Sequence, residues 1–213
     1  MTQITQRVTK EMTWKEIVDL INCGEAEAAL HVEDVMTDTM KDGTQIDFEV
    51  AHIEEDGVYF VAKGCSEEMQ MNVWATNRGG WKETDLRKRL NSEMLDKMPD
   101  VLKEAITERT IRQVIDGKEY ISQDKLWIPS VTEVFGENRN DVEEDGFRFD
   151  IFKDRQKRIK LLDGAEDIWW TRSPNVEHNG YFNGVNSNGS WISTWLAHYK
   201  ISVAVGFYIK KSE

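Results

Sequence analysis

The 213-residue chain carries 39 acidic against 27 basic side chains, a formal net charge of −12, with 39% hydrophobic residues, 31% charged residues and eight tryptophans. A chain of this length and composition buries a sizeable core, which excludes a disordered polymer. Its negative surface repels phosphate backbones, so nucleic acid is no default partner, and no stretch approaches the roughly 18 to 20 apolar residues of a membrane span.

The opening MTQITQRVTKEMTWKE has no apolar run behind its charges, so a secretory signal is not expected and synthesis in the cytoplasm is. Thr13 and Glu16 form a capping-box pattern ahead of Ile17, Val18, Leu20 and Ile21, which predicts an amphipathic helix over 13–22. Residues 32–63 then read as three strands joined at Asp42-Gly43 and Asp56-Gly57, a β-meander. The two cysteines, Cys23 and Cys65, stand far apart with no C-x-x-C arrangement, so neither a zinc site nor a disulfide framework is expected and both read as free thiols.

Gly79-Gly80 precedes a helix and would present backbone N–H groups to an anion, but no lysine and hydroxyl follow at P-loop spacing, and Trp81 reads as the residue that pins the helix. Leu86, Leu90, Met94, Leu95, Met98, Leu102 and Ile106 give a helical stripe broken at Pro99, hence two helices meeting there. A hairpin is expected around Asp116-Gly117, a short helix behind the Ser130/Glu133 capping box, and a loop over 137–148. The basic run KDRQKRIK at 153–160 reads as a solvated helix face. In the last third, short apolar stretches alternate with turns expected at 179–180, 183–184 and 187–189, and VAVGFYIK closes the chain as a buried strand. The element order is that of a mixed α+β protein without internal repeats.

No nucleophile elbow, zinc-helix motif, P-loop or dinucleotide fingerprint is present. The histidines at 31, 52, 178 and 198 are scattered, and His31 beside Glu33 and Asp34 reads as surface rather than as a metal set. The sequence therefore assigns no catalytic, cofactor-binding or metal-binding residue, and a non-enzymatic protein without a cofactor is expected.

A resemblance runs through most of the chain. TWKEI from Thr13, TNRGGWKETDLRKRLN at 76–91, DKLWIPSVTEVFG at 124–136, FKDRQKRIK at 152–160, WWTRSP at 169–174 and VAVGF at 203–207 resemble, in order and spacing, a bacterial and prophage family. Its members end in W-W-x-R-S-P, a variable stretch and G-V-x-P-x-F. That family is similar in turn to the C-type-lectin-like fold of formylglycine-generating-enzyme-like domains, phage tropism determinants and the variable proteins of diversity-generating retroelements. Val205 stands where proline is usual and Ser202 where glycine is usual.

The resemblance implies an α+β fold with a C-type-lectin-like domain over 66–213 and an N-terminal helix plus β-meander accessory module over 1–65. It implies that the WWTRSP strand and the closing strand pair in the core while the chain between them is exposed. On that basis Tyr181, Asn183, Asn186, Trp191, Ser193, Thr194, Trp195, His198 and Tyr199 form the expected ligand-binding surface: rigid aromatic rings for contact area, and small polar side chains for adaptable hydrogen bonds. The expected ligand is a protein or a cell-surface glycan. The function expected is receptor or ligand binding, on a phage particle or a cell surface. The alternatives are a structural or regulatory phage protein and, less favoured, a formylglycine-generating-type enzyme, which needs C-terminal cysteines that this chain lacks.

Overall fold

The computed structural model describes residues 12–137 and 142–212. The expected loop over 137–148 and the reading of the first residues lie partly outside that range.

Local rules start the chain. Glu16 accepts the Thr13 backbone N–H at 2.8 Å and Thr13 accepts the Glu16 N–H at 3.3 Å, closing the capping box of α1 (Trp14–Cys23), and left-handed Gly24 ends the helix. After the single turn α2 (Ala26–Ala29), strands β1 (Val35–Thr39), β2 (Gln45–Glu54) and β3 (Gly57–Ala62) form an antiparallel meander. The two-residue strand β4 (Glu68–Met69) follows. Helices α3 (Gly80–Glu83) and α4 (Asp85–Arg89) come next, and α4 runs through a π turn at Leu90–Met94 into α5 (Leu95–Lys97). Pro99 separates α5 from α6 (Asp100–Ala105).

The Asp116-Gly117 hairpin joins β5 (Arg109–Ile115) to β6 (Lys118–Asp124), and Ser130 caps α7 (Val131–Phe135) with Glu133 in a second capping box. Beyond β7 (Glu143–Glu144), 3-10 turns occupy Asp150–Lys153 and Arg155–Arg158. The last third holds strands β8 (Lys160–Leu162), β9 (Ala165–Asp167), β10 (Trp169–Pro174), β11 (Tyr181–Val185), β12 (Trp191–Leu196), β13 (Ile201–Ser202) and β14 (Gly206–Lys210).

These strands assemble into a four-stranded sheet in the order β1-β2-β3-β14, a five-stranded sheet in the order β12-β11-β10-β13-β4, a three-stranded sheet β6-β5-β7 and the hairpin β8-β9. Pairing is antiparallel except between β10 and β13. One continuous hydrophobic core runs from Trp14 to Ile209.

The expected C-type-lectin-like α+β fold is overturned. The described residues are β-rich, 36% strand against 25% helix, and build several antiparallel sheets with short helices. The two framing segments do not pair: WWTRSP is β10 at the centre of one sheet, whereas the closing strand β14 pairs with β3 in another. The chain breaks strand conformation at 203–205 to pass between those sheets. Gly206 is needed at the landing point, because a Cβ there would lie 2.5 Å from the Trp127 ring. The expected division at residue 65 is bridged by the same pairing, since β14 supplies the fourth strand of the N-terminal sheet.

Two further expectations change. Asn183-Gly184 is no turn but the middle of β11, where a Cβ on Gly184 would come 2.8 Å from the Trp169 carbonyl oxygen. The glycine serves close strand approach there. The basic run 153–160 is solvated over Lys153–Gln156, on 3-10 turns rather than an α-helix face, but it ends on a buried Lys160, whose ammonium donates to the Ala62 carbonyl at 2.5 Å.

Candidate functional site

The Trp-rich strand β10 is wholly interior. Trp169 donates its indole N–H to the Arg158 carbonyl and Trp170 donates to the Met69 carbonyl, both at 2.8 Å. Arg172 forks onto Glu133 with two contacts of 2.6 Å and donates to the Ile128 carbonyl at 2.9 Å. Glu133 also takes Arg109 at 2.5 Å and the Ser130 backbone N–H at 3.0 Å, so the carboxylate that caps α7 is also the counter-ion of two arginines. Burial alone would raise the Glu133 carboxyl, but the Arg109 and Arg172 guanidiniums outweigh it and hold it down at about 2. Burial pushes the neighbouring Glu144 carboxyl upward, against Arg172 and the hydrogen bonds from Ser173 and Gln113. This cluster is closed off from solvent and holds the sheet to α7.

The expected binding residues fall into three groups. Asn183 is fully buried, donating its amide to the Ser173 and Pro174 carbonyls at 3.0 and 3.1 Å, and it is no surface ligand. Asn186 and Trp191 stand at the hairpin-turn end of β11 and β12. Asn186 is half-buried and spends its side-chain oxygen on the Ser187 N–H, and the turn itself packs on Arg155, which donates to the Asn188 carbonyl. Ser193 is half-buried, with its carbonyl accepting from Asn175, and Thr194 is exposed.

The remaining residues gather at the opposite, open end of the hairpin, roughly 15 Å away at strand rise. Tyr181 pairs with Leu196 across the strands and its ring lies 5.5 Å from that of His178. Trp195 is half-buried and leans on the core. Its ring meets Tyr199 at 6.1 Å, and Tyr199 meets exposed His198 at 4.8 Å, so these three rings form a contiguous group. The Trp195–Tyr199 contact is thus made by a strand end and the turn behind it.

One residue of this surface was not singled out in the sequence. Trp74 is 77% exposed and follows Val73 at 56%, against 43% for Tyr199. Its loop is tied to the open end of the hairpin: the Asn72 N–H donates to the Ala197 carbonyl at 3.0 Å, and a Cβ on Gly180 would come 3.1 Å from the Ala75 carbonyl. Asn77 completes the attachment by donating its amide to the carbonyls of Asn175, His178 and Tyr181 at 2.6, 3.0 and 2.9 Å. The asparagines of this region therefore staple loops together, and it is the rings that face outward.

Burial holds the Cys65 thiol up at about 12, so it stays protonated, and Cys23 is exposed and unbridged. Among the described residues no helix is long and apolar enough to cross a membrane.

A family model described as "Domain of unknown function (DUF6273)" matches residues 53–211, from within β2 to the end of β14. Nothing among curated proteins and nothing among solved structures matches the chain.

Proposed function

We propose, for a chain that belongs to this family of DUF6273 domains, a non-enzymatic binding role in which the aromatic surface around Trp74 and Tyr199 docks a protein partner. The observation that carries the reading is Trp74, 77% exposed on a loop held in place by buried asparagines. A tryptophan left in water on a fixed loop is costly surface, and Trp and Tyr at the centre of such patches are the residue types that dominate binding energy. Loop fixation adds to this, because rings already positioned lose little freedom on binding. Val73, Tyr181, Trp195 and His198 complete the patch, while the acidic remainder of the surface favours solubility.

The test is to compare wild type with Trp74→Ala and Tyr199→Ala as bait for partner capture, and to probe the same proteins on a glycan array. The expected result is one captured protein, lost in both variants while their melting temperatures stay within about 2 °C of wild type. Capture unchanged in both variants would move the contact surface elsewhere, and ring-dependent binding on the glycan array alone would replace the protein partner with a glycan.

A further inference from the structure

A cavity of about 560 Å³ opens between the β1–β2 turn, the segment from β3 to β4, the π turn and the β8–β9 hairpin. It shares no residue with the aromatic patch. Met40, Cys65, Met69 and Met94 line its floor, with Ile46 and Leu161 nearer the mouth. Its volume falls in the range of small-molecule sites. Three unbranched thioethers give it an apolar, adaptable wall.

The charges at its rim say what would enter. The rim holds Asp42, Asp47, Glu67, Glu93 and Asp163 against Lys63, Arg89 and Lys97. Lys97 pairs with Asp42 at 3.0 Å and Lys63 reaches Asp47 at 4.0 Å, while Arg89 is divided between Glu93 at 3.1 Å and Glu67 at 3.6 Å. Asp163 makes no ion pair among the described residues. The mouth therefore carries more negative than positive charge, with no cation left over to receive an anion.

The π turn at Leu90–Met94 is what brings Arg89, Glu93 and Met94 to the lining together, and π turns recur at binding sites because they cost helix stability.

We propose that this cavity binds a small organic cation with an apolar body, of the alkylamine class, its chain over the methionine floor and its ammonium among the Glu67, Glu93 and Asp163 carboxylates at the rim.

Calorimetric titration of the full chain with octylamine, octanol and octanoate tests it. Octylamine should bind one per chain with Kd of about 100 µM or below, at least about tenfold tighter than octanol, with octanoate weakest. The double variant Glu67→Gln/Asp163→Asn, at a half-buried and an exposed rim position, should cut the preference for octylamine over octanol at least about fivefold and leave octanol unchanged. Ile46→Trp at the mouth should abolish binding of all three probes. Were that variant not to fold, the rim variant decides alone. Octanol or octanoate binding as tightly as octylamine, no binding of any probe, or octylamine binding indifferent to the rim variant would each overturn the proposal, the last by showing mere attraction to an acidic protein.

Discussion

Strands β10 and β12 lie in the same sheet, separated by β11, and each carries two tryptophans in six residues. Every residue of β10 is buried, whereas none of β12 is. Composition does not separate them. Their positions do: β10 is central, paired on both sides, and its polar residues Thr171, Arg172 and Ser173 are absorbed by partners on β11 and β7 and around α7. β12 lies at the sheet's edge with its faces only partly covered, whereas β14, the edge strand of the other sheet, is buried through Ile209. A tryptophan is thus interior or half-exposed according to what packs over its strand, which no window of sequence states.

The contrast breaks most violently at Glu133. Glu133→Gln leaves Arg109 and Arg172 buried without a counter-ion, and should cost about 3–5 kcal/mol, read as a lowered urea midpoint. Trp170→Ala in β10 should cost a similar 3–5 kcal/mol, since it empties a fully buried site and orphans the Met69 carbonyl. Acid should act on the same cluster. The folded Glu133 carboxyl lies near 2 against an ordinary 4.5, so its contribution is complete above about pH 4.5 and is lost as pH falls towards 2, about 3 kcal/mol over that span. Glu144 has the opposite sign: its raised carboxyl contributes at low pH and loses that contribution as pH rises, which offsets part of the slope. Denaturation midpoints from pH 5 to 2 should therefore fall in wild type and flatten in Glu133→Gln.

Effects shrink towards the edge. Trp195→Ala should cost only about 1–2 kcal/mol by urea denaturation, because the ring is half-covered. Trp74→Ala should change stability by less than about 0.5 kcal/mol while removing the partner. A loss of 3 kcal/mol or more in Trp195→Ala would place β12 with β10, and the comparison would fail.

What was legible in the sequence was local. Both capping boxes and the Asp42-Gly43 and Asp116-Gly117 turns follow from neighbouring residues alone and form where expected, whereas the turn expected at Asp56-Gly57 falls one residue earlier, on Glu55-Asp56, with Gly57 opening β3. What was not legible depended on partners distant in sequence. Asn183-Gly184 carries a turn signature, yet flanking strands on both sides hold it extended and use the missing Cβ. The closing strand reads as buried, but nothing within it says that β3, rather than β10, is its neighbour. Of the expected surface, Tyr181, Trp195, His198 and Tyr199 do gather at one end, whereas Asn183 is internal and Trp74, isolated in MNVWATN without periodicity, gave no signal.

The pairing of β14 with β3 also has a meaning in time. During synthesis β3 leaves the ribosome on the order of 145 residues before its partner, which at roughly 5–20 residues per second is an interval of many seconds. Throughout it the apolar strand GVYFVA presents an unpaired edge, the kind that recruits other chains. The N-terminal half therefore cannot finish folding as it is made, and a chain truncated before Gly206 should be rescued from aggregation by a β14 peptide, residues 203–212, supplied in trans.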